Sequence, residues 1–111
     1  MGSIRNQVQL IGNVGDVPTL TNLESGKKVV RFSLATNEPY KDKEGNKQTD
    51  TNWHTVVGWG KTAEFVEKYV GKGKEIGILG KLKTRSYTTD DGNQRYVTEV
   101  EANEVLLLGK K

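Results

Sequence analysis

Residues 51–71 carry the sequence TNWHTVVGWGKTAEFVEKYVG, in which an alternating segment runs directly into the one helical pattern of the chain. From 51 to 59, Trp53 and Trp59 fall on the same side, and the period of two predicts a half-buried β-strand. From 63 to 70 the apolar residues recur at helical spacing. The sequence therefore predicts a strand followed directly by a short helix, and the other elements are assigned relative to this pair.

Four further segments alternate in the same way and predict four more strands, at 6–14, 28–37, 75–88 and 94–106. The polar stretch 38–50 predicts either a long hairpin loop or an extended β-ribbon. The resulting order is β-β-β-α-β-β. We therefore predict an all-β protein with one helix: a five-stranded OB-fold, Greek-key barrel with an extended hairpin loop between its second and third strands.

Composition excludes several classes of protein. The 111 residues predict a single domain over 1–111, with no linker or repeat. No Cys and a single His leave no disulfide, thiolate or zinc chemistry, so no cofactor, metal ligand or catalytic residue is predicted. No apolar run approaches the ~20 residues of a membrane span, and the N-terminal sequence contains no signal peptide. We expect a cytoplasmic protein that does not contact membranes.

The two tryptophans indicate either barrel core or a surface platform. Six residues separate Trp53 from Trp59, which at ~3.3 Å per residue places them about 20 Å apart on one strand face. Large aromatic residues are often buried. The opposite side of the strand already offers Val56 and Gly58 to the interior, however, which favours an exposed platform.

The positive charge of the chain is regional. The net charge is only +3. Lys81, Lys83 and Arg85 alternate, so all three leave one strand face, and Tyr87 continues that face. This pattern is either a solvated outer face or the combination of cationic groove and stacking aromatic residues that binds single-stranded nucleic acid. The loop around Tyr40, with Lys41, Lys43 and Lys47, is either an ordinary charged loop or an arm that closes over nucleic acid.

The sequence resembles the bacterial single-stranded DNA-binding protein family from Asn6 to Gly109. Seven segments carry this resemblance, and although none of them alone is specific for the family, together they are. The matching segments are LIGNVG (10–15), VRFSLAT (30–36), TNWHTVVGWGK (51–61), AE (63–64), YVGKG (69–73), GKLKTRSY (80–87) and GNQRYVTEV (92–100).

The resemblance implies an OB-fold protein that coats single-stranded DNA, largely without sequence preference, during replication, recombination and repair in the bacterial cytoplasm and nucleoid. It implies a homotetramer, a dimer of dimers. The family's stacking aromatic residues fall on Tyr40, Trp53, Trp59 and Tyr87, and its phosphate contacts on Lys61, Lys72, Lys83 and Arg85. Together with Lys41, Lys43 and Lys81 these form the predicted DNA-binding set. The family's subunit contacts fall on Asn6, Val8, Leu10 and His54.

Two departures from the family pattern affect function. Tyr40 and Tyr87 stand where Trp is common, so stacking should be somewhat weaker. The sequence ends at LLLGKK (106–111), without the flexible linker and acidic tip that recruit other proteins in the family. Recruitment through a tail is therefore not expected for this chain.

Three alternatives stay open from the sequence. The first is an OB accessory module of the primosome type, or one that binds RNA. The second is a small hydrolase that uses His54. The third is a carbohydrate-binding OB domain, which would not need Lys81, Lys83 and Arg85.

Overall fold

A computed structural model describes residues 4–109 of the chain. The ends of the predicted single domain, 1–3 and 110–111, lie outside these residues, and so does the first part of the N-terminal sequence in which no signal peptide was found. The elements are β1 (Val8–Val14), β2 (Thr19–Asn22), β3 (Lys28–Lys41), β4 (Lys47–Trp59), α1 (Lys61–Tyr69), β5 (Glu75–Thr88) and β6 (Gln94–Leu107).

The five long strands close into a barrel. Their order in the sheet is β1-β5-β6-β4-β3, with the short strand β2 beside β3. Two short contacts complete the closure: β1 pairs with β3 at Asn13–Ala35 and Val14–Leu34, and β4 pairs in parallel with β6 at Val56–Val100 and Val57–Glu101. The predicted class, an all-β barrel with one helix between the third and fourth long strands, is confirmed.

The barrel interior is filled by the apolar side of each alternating strand. Val30, Leu34, Val56 and Ile76 are completely buried there, and Val66 of α1 packs against the same cluster. Each fully buried aliphatic side chain stabilises a fold by about 1.5–3 kcal/mol relative to its exposed state. The core thus takes one side of every strand and leaves the other side outward.

The stretch between the second and third predicted strands is a β-ribbon. β3 and β4 pair without interruption out to Lys41–Lys47. The ribbon ends in a turn, where Gly45 has a φ of 85°. Of the two structures that the polar sequence allowed, the extended ribbon is the one observed.

The helix begins two residues earlier than the apolar spacing predicted, at Lys61. Gly60 has a φ of 56°, and no side chain caps the first turn. Such a positive φ is readily available only to glycine. It lets the chain turn from β4 into α1 within a single residue.

An irregularity at Leu79/Gly80 divides the long hairpin of β5 and β6. Leu79 pairs with Glu104 but Gly80 pairs with Ala102, so Asn103 is an extra residue on β6. A Cβ at position 80 would lie 2.1 Å from the carbonyl oxygen of Glu101. Only glycine allows this approach. The extra residue also reverses which β6 positions face inward beyond it, which simple alternation did not predict.

Candidate nucleic-acid interface

The tryptophan side of β4 and the basic side of β5 belong to one surface. Arg31 of β3 pairs with Val57 of β4, Val57 pairs with Glu101 of β6, and Glu101 pairs with Lys81 of β5. Paired residues on adjacent strands project from the same side of a sheet. We call this surface the basic-aromatic face; it carries Arg31, Trp53, Trp59, Lys81, Lys83, Arg85 and Tyr87.

Both tryptophans lie at the surface. Trp53 is 63% exposed and Trp59 is 42% exposed, and neither belongs to the core cluster. Their cross-strand neighbours, Ala35 and Val29, are buried. Of the two interpretations of this pair, the geometry therefore favours the platform over the core.

The ring of Trp53 rests against the chain at Gly15. A Cβ at that position would lie 2.5 Å from Cζ3 of Trp53 and 2.7 Å from Oγ of Ser33. Gly15 thus leaves the space that the indole ring occupies. One side of the ring is held by the backbone while the rest faces solvent.

Lys72 lies near this end of the face. Its turn, between α1 and β5, is tied to β1 by two backbone hydrogen bonds: the Val14 amide donates to the Lys74 carbonyl at 3.0 Å, and the Gly73 amide donates to the Val14 carbonyl at 2.8 Å. Val14 directly precedes Gly15. The backbone at Lys72, whose side chain is exposed, is therefore held beside the segment of β1 that leads into Gly15.

The centre of the basic-aromatic face is a network of opposite charges. Glu99, which is buried, accepts hydrogen bonds from Arg31 and Arg85. Oε2 of Glu101 lies 3.9 Å from the Nζ atoms of both Lys81 and Lys83. Both acids line a cavity of about 420 Å³ together with Arg31, Lys83, Arg85 and Trp59.

Tyr40 does not share this face. The uninterrupted register from Leu34 onward places Tyr40 on the side of the ribbon that carries Thr36 and His54, opposite to Trp53. Its ring is half-exposed. The structure brings Trp53, Trp59 and Tyr87 to one surface and leaves Tyr40 on the reverse of the ribbon.

Both long hairpins end in turns that an aspartate organises. The backbone N–H of Asn46 and then that of Glu44 donate to Asp42 and hold the pKa of Asp42 below its ordinary value. At the other tip, the hydroxyl of Thr89 and the N–H of Asn93 lower the pKa of Asp91 in the same way. Lys41 therefore stands directly before a hydrogen-bonded turn and Lys43 lies within it, although the sequence also allowed an arm that closes over nucleic acid.

A second surface, on the outer side of the other half of the hairpin, is apolar. Ile11 is 53% exposed and Leu106 is 64% exposed. They lie on either side of Gly77, where an added Cβ would approach Leu108 at 3.5 Å and Ile11 at 3.8 Å. We call this surface the apolar face; it comprises Ile11, Leu79, Leu106 and Leu108, together with Phe65 at the border of its groove of about 570 Å³.

Lys61 lines this apolar groove. It is the first residue of α1 and is exposed. The predicted phosphate contact at Lys61 therefore lies at the border of the apolar face, away from the Lys81–Arg85 stripe.

The residues predicted for subunit contacts gather around β1. The side chain of Asn6 pairs with the Leu82 backbone, donating to its carbonyl at 3.0 Å and accepting from its amide at 2.9 Å. Val8 and Leu10 turn inward and pack partly against the core. Of the described strands, β5 alone pairs with residues 8–12, so the other edge of β1 presents free backbone groups there.

His54 lies close to that edge. Its Nε2 is 3.0 Å from the hydroxyl of Thr36, and it lines a small cavity with Leu10 and Ile11. Among the hydrogen bonds of the described residues, the imidazole meets this hydroxyl and not a carboxylate, so the geometry gives no support to the hydrolase alternative. Within residues 4–109, no three acidic or histidine side chains are grouped so that they could hold a metal ion.

Sequence reasoning missed four residues that these surfaces depend on. Arg31 and Glu99 are absent from the predicted set, because the contact between them crosses strands that alternation treats separately. Ile11 and Leu106 carried no signal, because an exposed apolar residue on a strand has the same sequence pattern as a buried one. Only the strand register reveals all four.

Comparison with known proteins points to one family. The family model described as single-strand binding protein family matches residues 5–108. Over 107 residues the chain is 44% identical to single-stranded DNA-binding protein 1 of Xylella fastidiosa, covering 96% of this chain and 79% of that protein. It is 42% identical over 107 residues to the protein of the same name from Chlorobaculum tepidum, covering 96% and 66%.

A solved structure agrees with these relatives. The Plasmodium falciparum SSB in its complex with ssDNA superimposes with a TM-score of 0.86 and 31% identity, over 98% of both chains. The chain spans 58–79% of the length of the curated relatives that it matches. In the described residues no helix is long and apolar enough to cross a membrane.

Proposed function

The chain belongs to the single-strand binding protein family, and on that premise we propose that it binds single-stranded DNA across its basic-aromatic face, largely without sequence preference. The lysines and arginines of the face would displace counterions from the phosphates, and its aromatic rings would stack on bases. Binding of this kind makes and breaks no covalent bond. The protein would protect exposed strands in the cytoplasm during replication, recombination and repair.

The observation that supports this proposal best is that two exposed tryptophans and four cations occupy one continuous sheet surface. Trp53 and Trp59 border it on β4, and the Lys81–Arg85 stripe crosses it on β5. A stacked base contributes about 1–3 kcal/mol per aromatic residue. Every base has an aromatic face, so stacking of this kind does not discriminate between sequences.

The predicted DNA-binding set divides into two groups on this structure. The first group lies on or beside the basic-aromatic face: Trp53, Trp59, Lys72, Lys81, Lys83, Arg85 and Tyr87. The second group lies on the ribbon or at the start of α1: Tyr40, Lys41, Lys43 and Lys61. We propose that a strand longer than the face continues over this second group.

We also propose that four copies assemble as a dimer of dimers. The unpaired edge of β1, at residues 8–12, offers backbone groups to the same strand of a second copy. The apolar face, with Ile11 and Leu106 exposed, offers a surface that a second dimer can bury. Each contact repeats the same patch on both partners, as a two-fold interface requires.

A binding assay tests the proposed function. The anisotropy of a labelled oligo-dT would be measured at two salt concentrations, with a duplex of equal length as the control. We expect single-strand binding that weakens with salt by about 0.7 in log K per log unit for each neutralised phosphate. Equal affinity for the duplex, or an affinity independent of salt, would contradict the proposal.

A further inference from the structure

Glu99 is a buried carboxylate in the middle of a surface that is proposed to bind a polyanion. It is only 7% exposed, although it projects from the outer side of β6. Removing a carboxylate from water is costly unless charged hydrogen-bond partners compensate. A negative charge also repels phosphates. Burial of the carboxylate and its repulsion of phosphates are both unfavourable, so we looked for an interaction of Glu99 that offsets them.

The partners of Glu99 are guanidinium groups from two different strands. Arg85 of β5 donates through Nε to Oε1 at 3.1 Å and through Nη2 to Oε2 at 3.5 Å. Arg31 of β3 donates through Nη1 to Oε2. β4 lies between Arg31 and Glu99, and its Val57 is buried at that point. One carboxylate therefore links three strands of the sheet and fixes both guanidiniums.

The two arginines keep donors for a ligand. A guanidinium has five N–H groups in a rigid plane. Arg85 uses its Nε and Nη2 edge, which leaves Nη1, and Arg31 uses Nη1, which leaves Nε and Nη2. Both side chains are about half-exposed. Their remaining N–H groups and planar faces are held in fixed directions beside Trp59.

Glu101, the neighbouring acid on the same side of β6, differs. Lys81 and Lys83 lie 3.9 Å from its Oε2, beyond hydrogen-bond distance. That oxygen is buried and accepts no hydrogen bond. Glu101 thus reduces the local positive charge without orienting the lysines. The two acids carry the same charge on the same surface, and only one of them is a geometric restraint.

We propose that Glu99 is a positioning residue for DNA binding: it holds Arg31 and Arg85 in the orientation in which they meet the single strand. This rests on the proposed function and adds to it a residue that does not itself touch DNA. Charge alone predicts that removing an acid from the face strengthens binding to a polyanion. If Glu99 positions the arginines, its removal should weaken binding instead, because unrestrained guanidiniums must be ordered when DNA binds.

The test compares Glu99→Gln with Glu101→Gln, two variants that gain the same charge. The dissociation constant for oligo-dT would be measured at one salt concentration. We expect Glu99→Gln to weaken binding by at least about threefold, the loss of part of a charged hydrogen-bond network. Glu101→Gln should strengthen binding. Strengthening by both variants would overturn the proposal.

Arg85→Lys gives an independent test that keeps the charge. Lysine cannot reproduce the planar fork, so the variant should also lose at least about threefold in affinity. In the double variant Glu99→Gln/Arg85→Lys the losses should be less than multiplicative, because both changes remove the same restraint. Multiplicative losses, or an unchanged affinity of Arg85→Lys, would overturn the proposal.

Thermal melting separates this role from folding. Binding is compared at a temperature where each variant is folded; if Glu99→Gln does not fold, Glu99→Asp takes its place. It keeps the charge but shortens the reach to both guanidiniums, so it should also weaken binding, and unchanged binding would overturn the proposal. A parent protein that fails to prefer single-stranded DNA would overturn the proposed function itself. A parent that binds, together with a Glu99→Gln variant that binds more tightly, would overturn only the positioning role.

Discussion

The basic-aromatic face and the apolar face are built from the same two strands. On β5 the outward positions are Gly77 and Leu79 in one half, and Lys81, Lys83 and Arg85 in the other. On β6 they are Leu106 and Glu104 in the first half, and Glu101 and Glu99 in the second. The change occurs at the Leu79/Gly80 irregularity. One hairpin therefore supplies two surfaces of opposite character without any change of fold.

The two faces differ in what they need from a partner. On the basic-aromatic face the acids pair with cations, so the charged centre of the face is stable in water without a bound partner. On the apolar face exposed aliphatic side chains have no such compensation, and burial would stabilise the protein by about 25 cal/mol per Å². We therefore propose that the first face binds its partner transiently and that the second is buried when copies of the chain assemble.

The largest expected effect comes from Gly80→Ala, at the boundary of the two faces. The added Cβ would lie 2.1 Å from a backbone oxygen of β6, so the hairpin must separate. We expect the free energy of unfolding to fall by about 2–4 kcal/mol, measured by urea denaturation. Gly71→Ala is the control, because nothing lies within 4 Å of a Cβ there. Equal stability of both variants would contradict the close approach.

Trp53→Ala should affect the basic-aromatic face alone. Loss of one stacked base costs about 1–3 kcal/mol, so the affinity for oligo-dT should fall by about 5- to 150-fold, whatever the sequence. Molar mass and melting temperature should stay close to those of the parent. Tyr69→Ala, on the exposed side of α1, is the aromatic control and should change affinity little. Unfolding of the Trp53 variant would mean that the ring belongs to the core.

Ile11→Glu should have the smallest effect of the three variants. We expect it to change the assembly of copies and to leave the DNA-contacting residues as they are. A charge in the centre of the apolar face opposes its burial. Light scattering should detect a fall from about four times the 12.3 kDa chain mass to a smaller species. Val17→Glu makes the same change at another exposed position and should leave the mass unchanged. A parent that is already monomeric would remove the proposed role of this face.

Alternation predicted the parts of the fold that depend on a single strand. It favoured an exposed position for Trp53 and Trp59, and it put Lys81, Lys83 and Arg85 on one strand face, as the structure has them. Alternation within a strand does not predict which residues of neighbouring strands pair with each other. The contact from Arg31 to Glu99 spans β4, and the position of Tyr40 depends on an unbroken ladder. The sequence also does not predict the extra residue Asn103, because a glycine such as Gly80 does not by itself specify an irregularity in the facing strand.

The central claim is that single-stranded DNA covers the face that carries both tryptophans of the chain. Intrinsic tryptophan fluorescence during titration with oligo-dT tests it most directly, with a duplex as the control and anisotropy of a labelled strand recorded in parallel. Stacked bases should quench Trp53 and Trp59 in step with binding, less at high salt, and the duplex should not quench them. Saturable binding of the single strand with unchanged tryptophan emission would contradict the account.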